Sequence, residues 1–330
     1  MTEIANTATR HFAAHPLGVV VVTHNSAHVL RTCLDSLRPY NLPVVVVDNA
    51  SLDATREIAA RFDLSLVANK ENRGFAAAAN QGIAALDTPF VLLLNPDVVL
   101  SAAPASFLGP FAQPEIGAVA ATLLGEDGDP QHSFQFRRLP TPMTLIFETL
   151  GLNRVWPSNP VNRRYRYYGN RWDVAAAVEQ PAGAFLILRK AAWQAVGGFD
   201  ERFWPIWFED VDYCLQLRRN HCLVWRVPTV AGVHAGGHSI HGLDRGRRQL
   251  YWYRSLLQYA AKHFSSVWVR MIGSAVLVGA LSRAILSRPE RSFGFRGMKP
   301  VFALALRTVL HGRPPSSRPV RNISENRQES

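Results

Sequence analysis

Apolar residues along this chain fall into two alternating patterns. Leu17-Gly18-Val19-Val20-Val21-Val22 is a short β-branched run, which predicts a strand buried on both faces. Residues 26–38 follow, with Val29, Cys33, Leu34 and Leu37 at helical spacing. Pro43-Val44-Val45-Val46-Val47 predicts a second buried strand ending at Asp48, and residues 52–62 a second helix. Leu64–Ala68 reads as a short third strand, and residues 74–86 as an Ala-rich helix. Phe90–Leu94 predicts a fourth strand, which Asn95-Pro96-Asp97 breaks.

Strands that alternate with helices of this length predict an α/β fold. Its central sheet is expected to be mostly parallel, with helices on both faces. Ligands of such sheets bind beyond the carboxyl ends of the strands. Thr23, Asp48 and Asp97 each follow a predicted strand, so three polar groups share one rim. Residues 126–180 are less regular and include the aromatic-basic stretch Arg163-Arg164-Tyr165-Arg166-Tyr167-Tyr168. Ala184–Leu188 and Leu223–Val227 read as later strands, and residues 250–264 as an aromatic-rich helix. The expected organisation is a flexible arm (1–16), an α/β domain (17–250), a basic and apolar helical extension (251–311) and a disordered tail (312–330).

Composition narrows the function classes. The 330 residues are 48% hydrophobic and 18% charged, which excludes wholesale disorder. The net charge of +11 is concentrated: residues 251–330 hold 13 Lys/Arg against 3 Asp/Glu, whereas residues 1–250 hold 23 against 22. A basic tail suits nucleic acid, an anionic membrane surface or a solvated face. No recognition helix, zinc finger or RNP-like motif accompanies it, so nucleic acid is not expected as a partner. Three cysteines without a CxxC pair fit a reducing compartment, and the first residues do not read as a signal peptide. Val267–Leu286 reaches the roughly 20 residues of a membrane span only by including Arg270 and Arg283. An interfacial helix is therefore expected ahead of a true span, with a packed helical subdomain as a further alternative. Arg288, Arg291, Arg296, Arg307 and Arg313 suit anionic headgroups or a lipid diphosphate.

Several short segments carry candidate chemistry. In Asp48-Asn49-Ala50-Ser51 the carboxylate can accept the imide N–H of uracil or thymine; alternatively, Ser51 or Asp53 caps a helix. Asp97 can bind a divalent cation bridging a diphosphate and Asn95 a ribose or phosphate, unless Asn95-Pro96-Asp97 is only a turn. Glu209, Asp210 and Asp212 lie among Trp204, Trp207, Phe208 and Tyr213. Acids this close raise one another's pKa, and a carboxylate beside aromatics can serve as a general base; an acid-rich helix start has the same appearance. His234 follows the last strand. Asn72-Arg73-Gly74-Phe75 opens the Ala-rich helix, as a phosphate site or a cap. No GxGxxG or GxxxxGK[ST] occurs, which argues against a Rossmann dinucleotide site or a P-loop.

Taken in order, VVVVTHN (19–25), VVVVDNASLDAT (44–55), NRGFAAAANQG (72–82), LLLNPDV (92–98), PAGAFLILRK (181–190), the GGFDERFWPIWFEDVDYCLQLRRNHCLVWRVP block (197–228) and VHAGGHS (233–239) resemble an inverting family 2 glycosyltransferase of the GT-A fold. The resemblance is to bacterial rhamnosyltransferase-like members. It implies a nucleotide-sugar donor, first dTDP-rhamnose, held by Thr23, Asn25, Asp48, Asn49, Asn72, Gly74, Asn80 and Asn95. It implies a divalent cation, Mn or Mg, at Asp97 and His234, and Asp210 as catalytic base. Gly183, Ala184, Trp207, Glu209 and Asp212 would line the acceptor side. The implied acceptor is a lipid-linked cell-surface glycan at the cytoplasmic face of the plasma membrane, which the enzyme meets as a peripheral or monotopic protein on an anionic surface. Two positions depart from the family pattern: His24 replaces an aromatic, and Asn-Pro-Asp has one carboxylate where many members have two. The second departure keeps open a non-catalytic nucleotide-sugar binder or scaffold at the membrane.

Overall fold

The computed structural model describes residues 15–236, 244–286 and 294–315. The expected arm through residue 14, the tail from residue 316 and the arginines at 288 and 291 lie outside the described residues, as does the side chain of Arg296.

The first half builds the expected α/β layers. β1 (Leu17–Thr23), β2 (Val44–Asp48), β3 (Ser65–Ala68) and β4 (Phe90–Leu94) pair in parallel in the order β3-β2-β1-β4. Their Val-rich runs suit a sheet covered on both sides, because alternate side chains enter opposite cores. Val19, Val21, Leu92 and Leu94 enter one core, under α1 (Ala27–Leu37), which buries Leu30, Cys33, Leu34 and Leu37. Val20, Val22, Val91 and Leu93 enter the other. There α3 (Phe75–Ala84), which follows the short α2 (Thr55–Ala59), packs its alanines closely on the sheet.

The second half departs from simple alternation. β5 (Val98–Leu100) and β6 (Ile116–Leu124) follow β4. An insertion then holds α4 (His132–Gln135), β7 (Phe136–Arg137), α5 (Pro142–Leu150), α6 (Leu152–Val155), α7 (Pro160–Tyr165), β8 (Ala176–Val178) and β9 (Gln180–Pro181). β10 (Phe185–Arg189) enters antiparallel between β4 and β6. After α8 (Lys190–Ala195) and α9 (Glu209–Arg219), β11 (Leu223–His234) pairs parallel to β6 and antiparallel to β5 and β8. Six of the nine strands run in one direction, as expected, and β10, β5 and β8 run against them. β7 and β9 form a separate pair.

Three helices complete the described chain: α10 (Arg245–His263), α11 (Ser266–Leu286) and α12 (Gly294–His311). Asp244 caps α10 by accepting from the Arg247 N–H. Leu256, Leu257, Ile272, Val276, Val301 and Leu304 form one core with Leu145, Phe203, Phe208 and Val211 of the α/β domain. A boundary at residue 250 therefore runs through α10, and the extension is fused to the domain by a shared core.

One close approach tests this packing. Gly232 of β11 lies so near β5 that a Cβ there would sit 2.2 Å from the Val99 carbonyl oxygen. The obstacle is backbone and cannot rotate away. Gly232→Ala is expected to cost about 1–3 kcal/mol in urea unfolding. An unchanged midpoint would mean that this strand pairing is looser than described.

Candidate functional site

The parallel strands end on one rim, and their register sets its first groups. Thr23 stands opposite Asp48, and Asn49 N–H donates to the Thr23 carbonyl at 2.8 Å. Asp48 is completely buried. Its Oδ1 accepts from Thr23 Oγ1 at 3.3 Å, and its Oδ2 from the Ser51 N–H at 3.1 Å and Arg56 Nε at 2.5 Å. A base reaches this carboxylate only by exchanging one of those partners. Asn49 Nδ2 donates to Asn72 Oδ1 (2.9 Å) and the Gly74 carbonyl (3.1 Å), which fastens the 72–74 loop to the end of β2. Asn25, at φ 53°, ties the first two loops together: its Oδ1 accepts from Leu52 N–H and its N–H donates to Ser51 Oγ, each at 2.8 Å. Asn25, Asp48, Asn49 and Asn72 thus hold the loops of this rim together.

Farther along the rim, β5 and β11 bring together residues distant in sequence. His234 pairs with Val98, so its ring meets Asp97, with Nε2 3.4 Å from Oδ1. Both side chains are buried. Gln131 fixes the imidazole: its Nε2 donates to the His234 carbonyl at 3.0 Å, and its Oε1 lies 2.9 Å from His234 Nδ1. Because that amide nitrogen is committed to a carbonyl, its oxygen accepts from Nδ1–H. Nε2 is then the ring nitrogen that faces the carboxylate. A carboxylate beside an imidazole nitrogen is a donor set that could hold a divalent cation, with Gln131 as the outer partner that orients the ring. A mixed oxygen and nitrogen donor set fits Mn2+ better than Mg2+. Among the described residues no third His, Cys, Asp or Glu joins them, so most of a cation's shell would come from ligand oxygens and water.

The remaining acids sit at the start of α9. Asp210 Oδ2 accepts from Gly183 N–H at 3.3 Å, and Oδ1 from Val211 N–H at 2.8 Å. The neighbouring Ala184 carbonyl accepts from Asn95 N–H at 3.0 Å. Asp210, Gly183, Ala184 and Asn95 are therefore linked by backbone contacts, two residues from Asp97. Burial pushes the Glu209 carboxyl well above the usual carboxylate range, and the charge of Asp210 adds to this. Burial raises Asp210 as well, but the N–H groups of Val211 and Gly183 and the positive charge of Arg137 oppose the rise. Burial thus raises both carboxyls, and of the two it is Asp210 that has a nearby cation to favour its charged form. Trp207 and Phe208 precede the pair at φ 78° and 69°, a left-handed backbone that costs roughly 1–3 kcal/mol per residue and points to a locally constrained site.

Two expected site residues are placed elsewhere. Asp212 does not face the acceptor side. Its oxygens accept from Lys262 Nζ at 2.8 Å and lie 2.7 Å from His263 Nε2 of α10. Lys262 also reaches Asp200 at 2.7 Å. Although burial opposes it, hydrogen bonds from Arg202 and Lys262 hold Asp200 below the usual carboxylate range. Asn80 is also committed away from the rim: its Nδ2 donates to the Phe199 carbonyl, and its Oδ1 accepts from Phe199 N–H and Trp193 Nε1. Sequence reading missed Gln131, Arg56 and Arg137, which no spacing connects to their partners.

With this geometry in hand, three comparisons bear on it. The model of the family described as Glycosyl transferase family 2 matches residues 18–194. An N-acetylglucosaminyl-diphospho-decaprenol L-rhamnosyltransferase of Mycobacterium tuberculosis is 28% identical over 276 residues, which cover 76% of this chain and 86% of that protein. A pre-mycofactocin glycosyltransferase of the same organism is 29% identical over 212 residues, 60% of this chain and 38% of its own length. A mannosyltransferase from Pyrobaculum calidifontis, solved with GDP-Man and Mn2+, superposes with a TM-score of 0.50 at 16% identity, covering 89% of this chain and 87% of that one. This last likeness concerns the fold alone, which is GT-A.

The cation reading is testable without any turnover. Titrating Mn2+ alone into the chain, followed by electron paramagnetic resonance, should show binding that His234→Leu removes. Gln131→Leu should weaken it about 10- to 100-fold. Equal affinity in the Gln131 variant would deny that residue its orienting role.

Proposed function

We propose, on the premise that this chain belongs to glycosyl transferase family 2, that it moves a sugar from a nucleoside diphosphate to a hydroxyl of a lipid-linked glycan, with inversion. The placement of Asp210 carries this reading. Its carboxyl group is held by Gly183 N–H where β10 begins beside the end of β4. In that position it can take the proton of an acceptor hydroxyl as the oxygen forms its bond to the anomeric carbon. The bond from that carbon to the diphosphate oxygen breaks on the opposite side, and the electron pair leaves with the diphosphate. One direct displacement inverts the anomeric centre. Asp97 and His234 would hold the divalent cation, which when bound offsets the negative charge of the departing diphosphate.

The remaining rim residues position the donor. Thr23, Asn25, Asp48 and Asn49 border the base and ribose side, while Asn72, Gly74 and Asn95 border the phosphates. Gly183, Ala184, Trp207 and Glu209 line the acceptor side. L-Rhamnose from dTDP-rhamnose is the first donor to try, supported by the rhamnosyltransferase relative. That relative's diphospho-decaprenol acceptor supports a lipid-linked substrate, which in this reading is met at the cytoplasmic face of the plasma membrane.

Asp210→Asn should lower turnover about 10²- to 10⁴-fold while donor-induced thermal stabilisation persists. Glu209→Gln should retain most activity, because Gln is uncharged as the protonated acid is. The base must be ionised, and its pKa is raised. Activity should therefore fall, as pH drops, at a higher pH than an exposed aspartate would give. Removing the opposing cation in Arg137→Gln should move that acidic limb higher still. An unmoved limb would detach Arg137 from Asp210. Donor binding without turnover for every sugar tried, with Mn2+ present, would favour the scaffold reading.

A further inference from the structure

α11 exposes Val267, Met271, Ser274, Val278, Leu281 and Ile285. Alternating steps of four and three place these residues on one continuous helix face. Five of the six are large and apolar, and Val267, Val278 and Ile285 are 63%, 57% and 65% exposed. At 1.5 Å per residue the stripe is about 27 Å long. Leu306 and Leu310 of α12 are exposed as well, near the start of α11, where Gly312 approaches Ser266 and Arg270. A continuous apolar stripe of this kind marks a contact surface.

The opposite side of α11 is committed to the protein. Ile272, Val276 and Ala280 belong to the shared core. Gly279 lies so close to α5 that a Cβ would sit 2.0 Å from the Thr149 carbonyl oxygen. Arg283 donates to that same carbonyl at 3.1 Å and to the Tyr253 hydroxyl. Ser266–Ile285 has the length and apolar character to cross a bilayer, with a mean hydropathy of 1.3. Crossing would strip the helix of these contacts and leave an arginine in hydrocarbon. Lying along a surface preserves all of them.

Charge identifies that surface. α10, α11 and α12 contain no Asp or Glu, while Arg270, Lys299, Arg307 and Arg313 are exposed. A second copy of the chain would bring like charges together. An anionic lipid surface offers both the apolar interior and the complementary charge.

We infer that α11 lies flat on an anionic bilayer through this stripe, as a monotopic helix that holds the α/β domain against the membrane. The inference rests on the proposed function only for its purpose, bringing Asp210 to a lipid-linked acceptor; its test needs no sugar. The full chain should float with phosphatidylglycerol-containing vesicles, bind phosphatidylcholine vesicles less, and be released by alkaline carbonate. Val278→Glu with Ile285→Glu should reduce flotation roughly tenfold or more, with an unchanged circular-dichroism melt. Undiminished flotation of that double variant would overturn the proposal, as would resistance to carbonate. So would a dimer, seen by sedimentation without vesicles, that the double variant dissolves. Vesicle binding with no glycosyl transfer would leave this surface standing and count against the proposed function.

Discussion

The antiparallel entry of β10 between β4 and β6 is the constraint on which the site depends. β4 delivers Asn95 and Asp97 at its carboxyl end. Because β10 runs the other way, with Phe185 opposite Leu94, its start arrives at that same edge. Gly183 and Ala184 then stand beside Asn95, and Asp210 is fastened to Gly183. A parallel strand in this place would begin at the opposite edge of the sheet. The proposed cation side and the proposed base side are thus brought together by backbone pairing, which gives a rigid mount for the groups there.

α9 serves two purposes because a helix turns by about 100° per residue. Asp210 faces Gly183, whereas Asp212, two positions on, points to the other side and meets Lys262 and His263. Asp212 and His263 are almost fully buried. Deleting one partner of such a cluster leaves an uncompensated charge at a cost of about 3–5 kcal/mol. The helix that presents Asp210 is therefore clamped between the sheet and α10. The C-terminal helices are part of the scaffold of the site, and their basic, apolar character adds a surface to it.

Local pattern carried much of this into the sequence. The Val-rich runs marked the parallel strands because a sheet covered on both faces admits no polar alternation, and the positions just beyond them marked the rim. Strand direction is decided by long-range pairing, so β10 read as a strand without its orientation. Asp97 and His234 were paired through family resemblance, but Gln131 lies in an insertion without regular period, and nothing local links it to a histidine. Asp212 was grouped with its neighbours by proximity along the chain, although helical periodicity already separates residues two apart. The insertion is basic as well: residues 132–178 contain seven arginines against two acids, and the charge of one of them, Arg137, favours ionised Asp210.

Burial acts in opposite senses on the two adjacent acids. A low dielectric penalises both carboxylates, so two charges side by side are worse than one. The pair resolves this by unequal partnering. Asp210 receives N–H donors from the peptide groups of Val211 and Gly183 and the field of Arg137, while Glu209 has backbone N–H groups but no such cation, and its Oε2 has no hydrogen-bond partner among the described residues. The neighbouring cation therefore favours charge on Asp210 over charge on Glu209. The same burial that makes ionisation costly then makes the Asp210 anion a stronger proton acceptor than it would be in water. Its basicity follows from the placement of α9 between the sheet and the helical core, and the aspartate side chain alone would not provide it.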